Sequence, residues 1–123
     1  MAVVLIIEDD PALCELLRQV LEDEGHRAVV ATSLAEAERA VGSEPVELVL
    51  ADLLEFDLRS GPGAVQVLRT LAAGRPVLLC TGQPGAQKLA NVAGLAGVLG
   101  KPFDLDELLR CVNSALDAGR SNG

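Results

Sequence analysis

Five short apolar runs recur along the 123-residue chain, and longer stretches of mixed polar and apolar residues separate them. Four of the five runs are almost free of polar residues, which is typical of strands covered on both faces in a parallel sheet. The pattern therefore predicts five buried parallel strands. The runs are AVVLII (2–7), RAVVA (27–31), VELVLA (46–51), PVLLC (76–80) and AGVLG (96–100).

The segments between these runs predict helices. Leucine and valine repeat every three or four residues in 13–21 and again in 105–116, which is the spacing of a buried helix face. Asp10 before Pro11 predicts an N-cap with proline at the first helical position, and Gly25 predicts the end of that helix. Two more helix starts show the capping-box spacing. They are Ser33 with Glu36 and, as an aspartate analogue, Asp104 with Glu107, and the remaining helices are predicted near 34–41, 63–73 and 85–93.

Strand and helix alternate five times, which predicts a doubly wound α/β domain with a five-stranded parallel sheet and helices on both faces. The length fits one domain, which we place at residues 1–118. The closing sequence GRSNG (119–123) predicts a short disordered tail.

Composition and charge exclude several classes of function. The net charge is −8, whereas phosphate backbones are bound by clustered lysine and arginine. Only two aromatic residues, Phe56 and Phe103, are present, so there is no platform on which bases could stack. No apolar run is long enough to cross a membrane, and no signal peptide pattern occurs at the N-terminus. We therefore expect a soluble cytoplasmic protein with neither nucleic acid nor a membrane as a direct partner.

The cysteines and the histidine carry weak signals. Cys14, Cys80 and Cys111 are isolated, have no C-x-x-C spacing and fall in predicted helices or strands. We interpret them as structural thiols in a reducing compartment. The single histidine, His26, follows a predicted helix end, and we interpret it as a surface imidazole without a role.

Polar residues follow four of the predicted strands. Glu8 and Asp9 come after the first strand, Asp52 after the third, Thr81 after the fourth and Lys101 after the fifth. Because the carboxyl ends of parallel strands meet at one edge of the sheet, where such folds bind ligands, we expect these residues to gather there.

The charges at this edge predict a cation. Two carboxylates about 4 Å apart repel by roughly 4 kcal/mol at an effective dielectric constant near 20, and Lys101 cannot neutralise three of them. Either some carboxylates are protonated or a divalent cation lies among them, and hard oxygen ligands favour Mg²⁺ or a similar ion. The alternative, that the acids only cap the first helix, accounts for Asp10 but leaves Glu8 and Asp9 unexplained.

A hydroxyl and an ammonium beside a metal-bound carboxylate suit a phosphoryl group. The metal and Lys101 would offset the charge of its oxygens, Thr81 would donate a hydrogen bond, and a carboxylate could attack phosphorus.

On these residues the chain resembles the receiver domains of two-component response regulators, the CheY-like group. The resemblance spans nearly the whole chain and implies the flavodoxin-like strand order 2-1-3-4-5. The matching segments are VLIIEDDP (4–11), VELVLAD (46–52), PVLLCTG (76–82) and GLAGVLGKPFDLDELL (94–109).

The resemblance implies roles for individual residues. Asp52 resembles the aspartate that accepts a phosphoryl group from a histidine kinase or phosphotransfer protein. Asp9 resembles the direct metal ligand, with Glu8 acting through water or as a second ligand, and the backbone carbonyl of Leu54 falls where the family supplies another metal oxygen. The family's partners also include an output protein or domain that senses the phosphorylated state.

Thr81 and Lys101 resemble the hydroxyl and the ammonium that hold the phosphoryl group and report its arrival. The bond between Lys101 and Pro102 resembles one that is often cis in this family, a geometry that only X-Pro bonds adopt readily. The implied domain catalyses its own modification but turns over no separate substrate, so it is not classed as an enzyme.

The loop after Asp52 departs from the family pattern. Phe56 and Ser60 stand where the family usually has proline and glycine, and Gly61 takes the glycine role if one extra residue is allowed. Such longer loops are frequent in receivers attached to hybrid sensor kinases. Because Glu55 and Asp57 add negative charge near the metal, we expect a weaker metal affinity or an altered phosphoryl lifetime.

The fifth strand also departs, with Val98 where many receivers have a tyrosine or phenylalanine that changes rotamer on phosphorylation. Because the predicted helix near 85–93 is poorly specified, we expect that the order of 82–95 itself changes with phosphorylation. Equal amide-exchange protection of 82–95 with and without a phosphoryl mimic would contradict this.

Two other functions are open. The irregular loop and Val98 favour a pseudo-receiver, in which the same fold binds proteins without phosphate chemistry. An aspartyl-nucleophile phosphatase would need an acid two residues after the nucleophile, where this chain has Leu54. The chain is either a stand-alone receiver, such as a phosphate shuttle, or part of a longer kinase or regulator, and Met1 directly before the first strand favours a natural start.

Overall fold

Five parallel strands form one sheet in the computed structural model, which describes residues 2–52, 69–81, 95–100 and 103–121. The strand order across the sheet is β2-β1-β3-β4-β5, and every neighbouring pair is parallel. This confirms the predicted fold and strand order. The strands are β1 (Val3–Ile7), β2 (Arg27–Ala31), β3 (Leu48–Asp52), β4 (Val77–Thr81) and β5 (Gly97–Gly100).

The boundaries of β3 and β4 differ from those predicted. The apolar run at 46–51 predicts a strand that ends before Asp52, but β3 begins at Leu48 and includes Asp52. Val46 is buried, yet its amide bonds to the carbonyl of Glu44 at 2.8 Å, so it belongs to the turn that enters the strand. Likewise β4 includes Thr81.

Helices cover both faces of the sheet. The described helices are α1 (Pro11–Asp23), α2 (Leu34–Ser43) and α3 (Leu105–Ser121), and residues 69–72 are also helical. They confirm the predicted helices at 13–21, 34–41 and 105–116, together with the last part of the one at 63–73. The predicted helix at 85–93 lies outside the described residues. No described helix is both long enough and apolar enough to span a membrane.

The predicted helix caps are present. Asp10 accepts a hydrogen bond from the amide of Ala12 at 3.0 Å, and Gly25 follows α1 with a φ of +87°. The side chain of Ser33 accepts from the amide of Glu36 at 3.2 Å. The third cap has the same geometry. In it, Asp104 Oδ1 accepts from the amide of Glu107 at 2.8 Å.

The predicted disordered tail is wrong for residues 119–121, because α3 continues to Ser121. No proline follows Leu116 to interrupt the helix, so each added residue can extend the ladder of backbone hydrogen bonds. Residues 122–123 lie outside the described part of the chain.

The core has two layers because successive strand residues point to opposite faces. On one face, Leu5 and Ile7 of β1 pack with Ala37 of α2 and with the helical segment 69–72. The other face carries the alternate strand residues, among them Ile6, together with α1 and α3. The helices therefore hold the sheet from both sides, as the buried apolar runs predict.

The turn before β4 contains backbone strain that a substitution should relieve. Ala73 has a φ of +53° and precedes Gly74, which has a φ of +88°. Because an L-side chain disfavours this left-handed region, Ala73→Gly should raise the free energy of unfolding by about 0.5 to 1 kcal/mol. Ala72→Gly, in the helix one residue earlier, should lower it by about 1 kcal/mol. Urea denaturation of both variants is the measurement, and a similar loss of stability in both would contradict the prediction.

Candidate functional site

The strand register brings the predicted site residues to one edge of the sheet. Ile7 of β1 is paired with Ala51 of β3, so Glu8 and Asp52 follow side by side on adjacent strands. Asp52 is in turn paired with Cys80 of β4, and Thr81 comes next on that strand. Adjacent strands are about 4.8 Å apart. The backbone therefore carries Glu8 and Asp52 side by side at the carboxyl edge, and Thr81 lies at the same edge on the next strand, one residue beyond the residue paired with Asp52.

The same edge of the sheet continues onto β5. Thr81 is paired with Gly100, the last residue of β5, and Lys101 is the next residue in the chain. Lys101 and Pro102 themselves lie outside the described residues, as do Leu54 and the loop at 53–61. For Asp52 and Thr81 the backbone is described, and both are the last residues of their strands. The prediction that they follow their strands is wrong by one residue.

Glu8 is a buried acid at this edge, with only 1% of its surface exposed. Its amide donates to the carbonyl of Ala31 at 3.0 Å, which ties the end of β1 to the end of β2. Its Oε1 accepts a hydrogen bond from the amide of Asp10 at 2.9 Å. One carboxylate oxygen of Glu8 therefore shapes the turn that follows β1.

Asp9 and Asp10 have different environments from Glu8, because both are exposed. Asp10 caps α1 through its side chain, which confirms its predicted role. Asp9 lies between two residues whose backbone and side chains are hydrogen-bonded, and its carboxylate is accessible to solvent. Of the acidic triplet, Asp9 is thus the residue with a carboxylate most open to an incoming ion.

The neighbouring end of β2 adds a further negative charge. Glu36 accepts hydrogen bonds from the amide of Thr32 at 3.1 Å and from its hydroxyl at 2.9 Å. Both bonds lower the pKa of Glu36 below its usual value, and the bond from the Thr32 amide has the larger effect. The sequence predicts a capping box in which Glu36 returns to the N-cap residue Ser33. It bonds instead to Thr32, one residue earlier.

The donor set fits a hard divalent cation. Glu8 and Asp9 have carboxylates after the end of β1, and the strand register puts the backbone of Asp52 beside Glu8. Such oxygen ligands suit Mg²⁺, which needs few protein ligands and keeps several waters. Among the described side chains, no three of histidine, cysteine, aspartate or glutamate form a metal-binding group.

The three cysteines differ in burial and in contacts, although the sequence predicts the same structural role for all of them. Cys14 and Cys80 are buried, Cys111 is half-buried, and none of the three is in a disulfide. Cys14 contacts the site, because its thiol donates to the carbonyl of Glu8 at 3.1 Å. One feature of the sequence indicates this contact. Cys14 lies four residues after the N-cap Asp10, so the first helical turn places it next to the acidic residues.

His26 differs from the surface imidazole predicted for it. The residue is half-buried, and Nδ1 is buried without a hydrogen-bond partner among the described residues. It lies after the end of α1, where its amide donates to the carbonyl of Leu21 at 3.0 Å. Because α1 begins at the carboxyl edge and ends at the opposite one, His26 is remote from the site.

Comparison with known proteins gives consistent matches. A family model described as "Response regulator receiver domain" matches residues 4–113. The chemotaxis protein CheY of Halobacterium salinarum is 30% identical over 117 residues, which cover 94% of this chain and 97% of that protein. The transcriptional regulatory protein GlrR of Escherichia coli is 34% identical over 115 residues, which cover 92% of this chain. The matched part is 26% of GlrR, so this chain spans about a quarter of that regulator's length.

Solved structures show the same fold. A putative response regulator from Chloroflexus aurantiacus has a TM-score of 0.79 at 28% identity, with 94% of this chain and 98% of that chain covered. A CheY-like receiver domain protein from Methanospirillum hungatei has a TM-score of 0.83 at 24% identity, with 100% and 99% covered. Both similarities extend over essentially complete chains.

Proposed function

The chain belongs to the family of response regulator receiver domains of two-component systems, and from this premise we propose that Asp52 accepts a phosphoryl group. The donor is a phosphohistidine on a histidine kinase or a phosphotransfer protein. The observation that carries the proposal is the strand register, which aligns Glu8, Asp52 and Thr81 along one edge of the sheet.

The reaction transfers a phosphoryl group from nitrogen to oxygen. A carboxylate oxygen of Asp52 attacks phosphorus, an O–P bond forms, and the N–P bond of the phosphohistidine breaks. The electron pair of that bond stays on the imidazole nitrogen, which takes a proton from water. Since the transferred group has three charged oxygens, the site must supply positive charge and hydrogen-bond donors around them.

We assign the positive charge to a cation and a lysine. Asp9, Glu8, Asp52 and the backbone carbonyl of Leu54 would hold Mg²⁺, which neutralises charge on the phosphoryl oxygens when bound. Lys101 is the residue after Gly100, which is paired with Thr81, and we assign its ammonium to the oxygens of the transferred group. Together with the Thr81 hydroxyl it would hold the transferred group.

The proposed output is a change in binding. A new phosphoryl group near the strand ends alters local charge and hydrogen bonding, and so shifts the surface that a partner recognises. The partners are the phosphodonor protein and an output protein or domain. GlrR, whose name describes a transcriptional regulator, is about four times longer than the part matched, which supports an output domain in some relatives.

Incubation with Mg²⁺ and a small phosphodonor such as acetyl phosphate tests the proposal. We expect mass spectrometry to show the addition of one phosphoryl group, and we expect chelation of Mg²⁺ to prevent it. Beryllium fluoride, an analogue of the phosphoryl group, should shift the amide NMR signals of the strand ends. No addition and no shift at any Mg²⁺ concentration would contradict the proposal and support a protein-binding module without phosphate chemistry.

A further inference from the structure

Cys14 differs from the other two cysteines because it bonds to the turn that carries Asp9. It is the fourth residue of α1 and is 6% exposed. Its thiol donates to the carbonyl of Glu8 at 3.1 Å, in a buried hydrogen bond. Its amide donates to the carbonyl of Asp10 at 2.9 Å. Cys14 therefore contacts the residues on both sides of Asp9.

The two bonds differ in which residue types could form them. The bond from the Cys14 amide is the first backbone bond of the helix, which any residue except proline would make. The bond to Glu8 comes from the side chain, so it requires a short side chain with a donor. Cysteine has a weak S–H donor, and alanine at this position would remove it.

The remaining bonds of the turn converge on the same residues. The amide of Glu8 is tied to Ala31, and Oε1 of Glu8 accepts from the amide of Asp10 at 2.9 Å. The side chain of Asp10 accepts from the amide of Ala12. Asp9 is consequently the exposed middle residue of a turn whose flanking residues are held in place, and the thiol supplies one of the bonds that hold them.

We infer that Cys14 is a positioning residue for Asp9. Its thiol keeps the Glu8 carbonyl, and with it the turn at 8–10, in the conformation that presents the Asp9 carboxylate to a cation. The role rests on the proposed function, in which Asp9 binds Mg²⁺. It acts before the ion arrives, because a preformed turn loses less conformational freedom on binding.

Three variants test this inference: Cys14→Ala removes the donor, Cys14→Ser restores a donor of similar size, and Cys111→Ala removes a thiol from α3. Mg²⁺ affinity and amide exchange at Asp10 in Mg²⁺-free protein are measured by NMR. In Cys14→Ala we expect the dissociation constant of Mg²⁺ to rise about 3-fold and Asp10 exchange to accelerate by a similar factor. In Cys14→Ser and Cys111→Ala both quantities should stay within about 2-fold of the wild type.

The outcomes separate a positioning role from a purely structural one. Faster exchange at Asp10 with unchanged Mg²⁺ affinity in Cys14→Ala would overturn the inference, and so would unchanged values of both. A wild-type protein that binds no Mg²⁺ would overturn the proposed function and the inference together, whereas normal binding in the wild type and Cys14→Ala would overturn the inference alone. If Cys14→Ala does not fold, Cys14→Val fills the same space without a donor and is compared with Cys14→Ser.

Discussion

Asp52→Asn should abolish phosphorylation by a small phosphodonor while leaving the protein folded. The neutral amide has no anionic oxygen to attack phosphorus, and the loss of one charge also weakens Mg²⁺ binding at the same edge. We expect the incorporation of phosphoryl groups to fall to the level of a sample without Mg²⁺. The measurement is intact-protein mass spectrometry after a fixed time with the donor and Mg²⁺.

The fold of this variant should be unharmed because the backbone of Asp52 is part of the ladder with β4, which asparagine can also form. The change also removes one of several like charges at the edge, so the free energy of unfolding should equal or exceed that of the wild type. Asp23→Asn is the matched control, since Asp23 ends α1 at the opposite edge of the sheet. It should be phosphorylated as fast as the wild type.

Two results would contradict this prediction. Equal phosphorylation of Asp52→Asn and the wild type would place the acceptor on another residue. A loss of phosphorylation in Asp23→Asn of the same size would indicate that overall charge, rather than the residue at position 52, determines the reaction.

Asp9→Asn should weaken Mg²⁺ binding by about 10-fold or more, because it removes a charged oxygen ligand from a site that holds few of them. Glu8→Gln should weaken it less. Glu8 is buried, and its Oε1 already accepts the Asp10 amide, which the carbonyl of glutamine can also do. Mg²⁺ titration followed by amide NMR signals gives both affinities. The wild-type affinity from the same titration also tests the expectation that Glu55 and Asp57 weaken Mg²⁺ binding.

Asp10→Asn provides the control for charge, since it removes one negative charge next to Asp9 and keeps an acceptor for the Ala12 amide. We expect it to change the Mg²⁺ affinity by only about 2-fold, because water and salt weaken the effect of a charge that does not contact the ion. If the changes at Asp9 and Asp10 weakened binding equally, Asp9 would contribute only to the local field and would not be a ligand.

Together, the two experiments separate the acceptor from the metal site. Asp9→Asn should slow phosphorylation at low Mg²⁺ and recover part of the rate when Mg²⁺ is raised, because the acceptor is intact. Asp52→Asn should not recover at any Mg²⁺ concentration.

Much of the fold could be predicted from the sequence because it depends on local patterns. The apolar runs that form β1 and β2 match the predicted boundaries to within one residue. The caps at Asp10 and Ser33 depend on residues within a few positions, so they too can be recognised without a structure. Since all strands of a parallel sheet end at the same edge, this pattern also predicted that Asp52 and Thr81 would approach one another.

The tertiary structure decided features that depend on residues far apart in the chain. Strand ends are set by pairing with a neighbour, so Asp52 and Thr81 proved to be the last residues of their strands rather than loop residues. Glu8 is buried where its backbone contacts two other elements, Ala31 of β2 and Cys14 of α1. The contact between the Cys14 thiol and Glu8 joins residues only six positions apart, but it depends on the path of the turn between β1 and α1, which the hydrophobic pattern does not specify. Hydrophobic periodicity determines which elements form, whereas the direction of each side chain follows from how those elements pack.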